Sequence, residues 1–180
     1  AYSSGAPSFA YALAVQRQGE RELEPLDLSC WQVAFCGAEP IRFSVLEQFA
    51  DTFAPAGFQK SAFLPCYGMA EATLFVTGTQ GLQTMTVNHS ALVQQQVLLD
   101  DSSDAQIIVS TGQPSDSTQV RVVDSESFKE LPEAQIGEIW IKGDGISNGY
   151  FAHDSQVNPF NHCLNGESGF LRTGDLGFIY

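Results

Sequence analysis

Four short segments combine residue types that could bind or polarise a ligand. In Gly37-Ala38-Glu39-Pro40, small side chains let a planar ligand lie against bare backbone, and the proline fixes the turn. Tyr67-Gly68-Met69-Ala70-Glu71-Ala72-Thr73 sets an aromatic stacking face beside a glycine, and Glu71 offers a hard oxygen ligand suited to magnesium. Gly137-Glu138-Ile139-Trp140-Ile141-Lys142-Gly143-Asp144-Gly145, followed by Asn148-Gly149-Tyr150, reads as a strand closed by a glycine-rich turn. In Arg172-Thr173-Gly174-Asp175-Leu176-Gly177, an aspartate after a tight turn can accept two hydrogen bonds from a ribose diol. Plainer readings stand beside these. The first segment is also an ordinary strand-to-helix turn, the second a core aromatic followed by a solvated acid at a helix start. The third is also a purely structural strand, and the fourth a common turn aspartate.

The elements around these segments explain why they are worth attention. The first two follow short apolar runs, at 31–35 and 62–67, and strand ends are where ligands gather in α/β sheets. Residues 7–17 are predicted helical, with Phe9, Ala10, Leu13 and Ala14 on one face. A second helix is predicted from Ser44, which has capping-box spacing to Glu47. Its apolar face is Leu46, Phe49, Ala50 and Phe53, and Pro55 and Gly57 stop it. Helix and strand thus alternate through the first ~75 residues, the pattern of an α/β layer. Strands are then predicted at 84–87, 106–109, 119–123 and 136–142. Val120, Val122, Ile139 and Ile141 alternate with polar neighbours, as in a half-buried antiparallel sheet. Residues 94–104, rich in Gln, Asp and Ser, read as a loop or insertion. The expected class is mixed α/β, divided as an α/β portion (1–83), an insertion (84–110) and a β-rich portion (111–180).

Composition narrows the partners. Of 180 residues, 43% are hydrophobic, so a sizeable core is expected, and 21 acidic against 8 basic residues leave a formal charge of −13. Such a surface disfavours nucleic acid and anionic membranes, yet backbone amides and a divalent metal can still hold a small anion locally. Cys30, Cys36, Cys66 and Cys163 form no C-x-x-C pair. They are expected as reduced thiols packed in or near a core, which suits a cytoplasmic location. His89, His153 and His162 are scattered and read as surface or structural residues. No apolar run reaches the roughly 18 residues of a membrane span. The start without Met, and a C-terminal Gly177-Phe178-Ile179-Tyr180 that reads as a strand, are expected of an internal piece of a longer chain.

In their order and spacing the four segments resemble the adenylate-forming superfamily of acyl ligases, luciferases and peptide-synthetase adenylation domains. The phrases Ala34-Phe35-Cys36-Gly37-Ala38-Glu39-Pro40-Ile41, Phe53-Ala54-Pro55-Ala56-Gly57-Phe58 and Pro65-Cys66-Tyr67-Gly68-Met69-Ala70-Glu71-Ala72-Thr73-Leu74 are similar to its fatty acyl-AMP ligase branch. Ala70 stands where most other members carry Thr, which removes a hydroxyl able to reach a phosphate and matches that branch. The turn Thr111-Gly112-Gln113-Pro114 comes about forty residues after Glu71, later than in acyl-CoA ligases. The intervening stretch resembles the branch's insertion, thought to keep the C-terminal domain from its CoA-using position.

The resemblance implies roles. Gly37, Ala38, Glu39 and Pro40 would line the adenine of ATP or AMP, with Tyr67 stacking opposite. Gly68, Met69 and Ala70 would pass close to the phosphate and acyl carbonyl. Glu71 would be the catalytic residue that holds magnesium, and Asp175 would bind the ribose hydroxyls. Phe9 and Tyr11 would border an acyl tunnel, although core packing explains them equally well. A fatty acid would be activated to acyl-AMP and passed to an acyl carrier protein, in bacterial lipid or lipopeptide biosynthesis. The phosphate-holding loop and the C-terminal domain with its catalytic lysine would lie outside these residues, so the 180-residue piece is expected to be inactive alone. The rival readings are a fatty acyl-CoA synthetase and a non-catalytic binding or interaction module.

Overall fold

A computed structural model describes residues 1–19, 26–102, 105–151 and 158–180. The elements run β1 (Ser3–Gly5), α1 (Ser8–Gly19), β2 (Val33–Cys36), α2 (Phe43–Phe53), β3 (Phe63–Met69), β4 (Leu74–Gly78), β5 (Thr84–Asn88), α3 (His89–Val93), β6 (Ala105–Val109), β7 (Gln113–Pro114), β8 (Thr118–Val123), β9 (Gly137–Gly143), β10 (His162–Leu164) and β11 (Glu167–Gly177). They gather into two compact units that interleave along the chain. One holds Ala1–Gly68, Thr77–Met85 and Ile107–Gln113; the other holds Met69–Val76, Thr86–Gln106 and Pro114–Tyr180.

The first unit is the α/β layer. Its strands β1, β2 and β3 are parallel, with Ala34 opposite both Ser4 and Phe63. On helix α2, Leu46, Phe49, Ala50 and Phe53 recur at helical spacing and all four are buried, as their period predicts. Phe49 is the hub, its ring meeting those of Tyr11 at 4.9 Å, Phe58 at 5.0 Å and Trp31 at 6.1 Å, edge to face. Each such pair adds about 0.5–1.5 kcal/mol beyond area burial. The helix stops at Phe53, where the chain enters a 3-10 turn, Ala54–Ala56, that carries Pro55 and is capped by Gly57 in a left-handed conformation (φ 88°). The capping box does not form. The helix begins at Phe43 after an extended Arg42, so Ser44 lies inside it. The Arg42 N–H donates instead to Ser8 Oγ (3.2 Å), and Glu47 pairs with Lys60.

The second unit is the antiparallel portion, with a sheet in the order β10-β11-β9-β8. It is more deeply buried than its alternating pattern predicts: Val122 and Val123 on β8, and Trp140 and Ile141 on β9, are all inaccessible. Consecutive buried residues point to opposite faces, so the sheet centre is covered on both sides. Within this unit Asn88 caps α3 through Ala91 N–H (2.8 Å) and donates to Asp100, and Gln96 bridges to Gln135, which tether the turns of the 94–102 segment. β5 and β6 pair as a two-stranded ribbon.

The other expectations fare unevenly. All four cysteines are free, but only Cys36 is buried and Cys66 partly so. Cys30 lies in an exposed turn, and Cys163 faces outward on β10 beside the inward Leu164. His89 is exposed and bonds Gln106, His162 packs against the Trp140 ring, and His153 lies outside the described residues. Residues 178–180 are not strand, since β11 ends at Gly177. Among the described residues no helix is long and apolar enough to cross a membrane.

Candidate functional site

In the first unit, the parallel pairing of β2 and β3, with Cys36 opposite Pro65, leads the first segment and Tyr67-Gly68 off the same end of the sheet. A β-carbon on Gly37 would sit 2.6 Å from Cys66 O and 3.0 Å from its Sγ, so only glycine lets the chain pass there. Ala38 follows with φ 65°, a left-handed turn that leaves it exposed. Glu39 sends its carboxylate to the first turn of α1, where Oε1 accepts the Phe9 N–H at 2.7 Å. Burial pushes the Cys36 thiol up to about 11 and raises that of Cys66, so both stay neutral at this end. Tyr67 and Gly68 end this unit's part of β3, half-buried. An open groove of about 420 Å³ is lined by Phe9, Leu13, Gln16, Glu39, Pro40 and Arg42 among others. Phe9, 62% exposed, borders it. Tyr11 lies in the core, its hydroxyl donating to Phe35 O at 2.9 Å.

In the second unit, Glu71 occupies a single turn, Ala70–Ala72, that runs into two consecutive left-handed residues, Thr73 (φ 52°) and Leu74 (φ 77°). Non-glycine residues hold that conformation only when neighbours over-determine it. The glycine-rich turn after β9 supplies those neighbours. Thr73 Oγ1 donates to Gly145 O (2.6 Å), Ser147 N–H donates to Glu71 O (2.8 Å), and the Tyr150 hydroxyl donates to Glu71 Oε1 (2.6 Å). Tyr150 is itself braced edge to face by Phe160, with ring centroids 5.2 Å apart. Its hydrogen bond holds the Glu71 carboxyl below the usual carboxylate range, so the group is ionised near neutral pH.

Asp175 is on β11, not in a free turn. The pairing of β11 with β9 slips between Arg172 and Leu176, and this bulge carries Thr173-Gly174-Asp175 outward. Thr173 Oγ1 donates to Ile139 O (2.7 Å) and accepts the Asp175 N–H (3.1 Å). Behind the bulge Glu138, 5% exposed, takes hydrogen bonds from Arg172, Trp140 Nε1 and Gly174 N–H. Burial raises the Glu138 carboxyl, but these donors outweigh it and the group lies below its ordinary value.

Tyr150, Thr73, Ser147, Glu138 and Arg172 therefore carry positioning work that residue types alone did not assign. All but Ser147 lie in the four segments, yet none was given a role, and no local signal connects Tyr150 or Glu138 to its partner.

Glu71 suits magnesium by charge and hardness. Among the described residues no group of three or more His, Cys, Asp or Glu could enclose a metal. A bound magnesium ion would draw most of its ligands from phosphates and water, which is its habit.

The AMP-binding enzyme family matches residues 2–151. Over 98% of its length the chain is 33% identical to the medium-chain-fatty-acid–[acyl-carrier-protein] ligase JamA of Moorena producens. Over the same share it is 36% identical to 4-hydroxyphenylalkanoate adenylyltransferase of Mycobacterium tuberculosis. It spans 31% and 30% of those relatives' lengths. The fatty acyl-adenylate ligase of L. pneumophila, solved in complex with acyl adenylate and pyrophosphate, superposes on the whole chain. The TM-score is 0.93 and the identity 38%, and 32% of that enzyme is covered. With the family matched across most of its residues and this mixed α/β fold shared along its full length, the chain belongs to the AMP-binding enzyme family.

Proposed function

We propose that the protein carrying this chain activates a fatty acid with ATP, releasing pyrophosphate, and passes the acyl group from acyl-AMP to an acyl carrier protein. The observation that carries this reading is the likeness along the entire chain to the L. pneumophila enzyme solved with acyl adenylate and pyrophosphate. The JamA relative, an acyl-carrier-protein ligase by name, supports the acceptor.

A carboxylate oxygen of the fatty acid attacks the α-phosphorus of ATP as the bond to pyrophosphate breaks. No covalent enzyme intermediate is needed, and the protein's work is positioning and charge stabilisation. Gly37 and the left-handed Ala38 present bare backbone to the adenine, Glu39 and Pro40 complete that wall, and Tyr67 stacks on the ring. Gly68, Met69 and Ala70 run close to the α-phosphate and acyl carbonyl. Glu71, ionised and oriented by Tyr150, would hold magnesium, which when bound neutralises charge on the phosphates. Asp175 accepts the ribose hydroxyls. Phe9 and Tyr11 of α1 border the acyl tunnel, Phe9 from the groove and Tyr11 from the core. Residues 84–110 act as the insertion that disfavours transfer to CoA, and the four free thiols fit a cytoplasmic setting.

The test is incubation of the full-length protein with ATP, magnesium, a fatty acid and CoA, with products resolved by mass. Acyl-AMP accumulating without acyl-CoA is the expected result. Abundant acyl-CoA would make the protein an acyl-CoA synthetase, and no acyl-AMP would overturn the reading. The 180-residue piece alone is expected to give no turnover.

A further inference from the structure

We infer that Glu138 is a positioning residue for nucleotide selection, fixing the turn that presents Asp175 to the ribose; the inference rests on the ribose role proposed above. A carboxylate buried in a sheet is costly, and an apolar residue of similar volume would serve packing as well or better. What the carboxylate adds is reach. Oε2 takes Arg172 Nη2 at 2.9 Å, Arg172 Nε at 3.0 Å and Trp140 Nε1 at 3.1 Å, which fixes the group within the sheet. Oε1 then accepts the Gly174 N–H at 3.1 Å, a backbone donor of the neighbouring strand's bulge.

At the centre of that bulge the backbone, and not a side chain, makes the contact. Gly174 has φ 75°, and a β-carbon built there would meet nothing within 4 Å, so side-chain packing does not dictate the local path. Polar contacts do so instead: Glu138 to Gly174, Thr173 Oγ1 to Ile139 O, and Asp175 N–H to Thr173 Oγ1. Two of the three tie the turn to β9, and Glu138 supplies the one that acts at the glycine hinge immediately before Asp175. Removing it takes away the hydrogen bond on the peptide that leads into Asp175, while the strand pairing on either side, Arg172 with Trp140 and Leu176 with Glu138, remains.

The experiment compares ATP with 2′-deoxy-ATP in fatty-acid adenylation by the full-length protein, with Asp175→Ala as reference. Loss of one charged hydrogen bond to the ribose should cost wild type about tenfold or more in kcat/KM on 2′-deoxy-ATP. Glu138→Ala is expected to raise the KM for ATP about tenfold, leave the KM for the fatty acid unchanged, and shrink the preference for ATP towards one. Glu138→Gln should restore part of that preference, since its amide oxygen can still accept the Gly174 N–H. If Glu138→Ala does not fold, the paired variant Glu138→Met with Arg172→Leu removes both charges into a packed apolar pair and is expected to fold. It too should lose the preference. If Asp175→Ala abolishes the preference but the Glu138 variants keep it, the positioning role is wrong and the nucleotide reading survives. If Asp175→Ala keeps it, the ribose role fails, and this inference with it.

Discussion

The Tyr150 hydroxyl donates to Glu71 Oε1 at 2.6 Å, joining residues 79 positions apart within one compact unit. Glu71 also takes Ser147 N–H on its carbonyl, and its neighbour Thr73 is bonded to Gly145. Backbone and side chain of the proposed metal ligand are thus both set by one glycine-rich turn. The hydrogen bond lowers the Glu71 carboxyl and raises the Tyr150 phenol, as expected of a neutral donor facing a carboxylate.

Tyr150→Phe should therefore weaken divalent-metal binding without disturbing the fold. Partners that orient a ligating carboxylate are commonly worth about tenfold or more in metal affinity. Titration of manganese with ATP on the full-length protein, followed by paramagnetic resonance, reads this directly. The variant should need about tenfold more metal for half-occupancy. An unchanged curve would mean that Tyr150 does not act through Glu71.

Gly37→Ala tests the sheet edge. The new methyl would lie 2.6 Å from a backbone oxygen, which cannot swing aside as a flexible side chain can, so β2 and β3 must shift apart. Overpacking of this kind costs about 1–3 kcal/mol, visible as a lower urea midpoint with an unchanged slope. Adenine binding should weaken as well. A variant as stable as wild type would show that the edge yields freely.

Periodic and local features were legible in the sequence; pairings across long separations were not. The α2 face reads directly because four apolar residues repeat at helical spacing. The end of β2 was located because its apolar run stops at Gly37, whereas β3 runs through Gly68 to Met69. Ser3–Gly5 carries no strand pattern, and it is a strand only because β2 offers a parallel partner from Val33 onward. Thr173-Gly174-Asp175 reads as a tight turn because its neighbour in the sheet, β9, lies more than thirty residues upstream. Glu138 looks like an outward polar residue until Arg172 is placed beside it by that same register. In each case the missing information is which distant backbone supplies the partner.

Thiol reactivity separates the four cysteines. Cys30 and Cys163 are exposed, whereas burial pushes Cys36 up to about 11. Near pH 8, alkylation should proceed at Cys30 and Cys163 first, at Cys66 more slowly, and at Cys36 only with unfolding. The raised Cys36 value contributes stability that is whole below the unfolded thiol's ~8.5 and is lost as pH climbs towards the folded value. Peptide mapping of the labelled protein gives the order. Early modification of Cys36 under native conditions would contradict its burial against Ser8 of α1.

The acid limb of stability should depend on Glu138. Its folded carboxyl lies below the ordinary 4.5 despite burial, because Arg172, Trp140 and Gly174 all donate to the ionised form. The unfolded chain therefore binds the proton more readily, so the stabilisation is present above about pH 4.5 and fades as pH falls through the lower folded value. Urea midpoints between pH 7 and pH 3 should show this decline in wild type. In Glu138→Met with Arg172→Leu it should be shallower, because no proton is taken up at that site on unfolding. Other carboxylates hold lowered values too, Glu71 and Glu167 among them, so a residual slope remains in the variant. The decisive quantity is the difference in slope, and two parallel curves would mean that the buried pair is not what acid titrates.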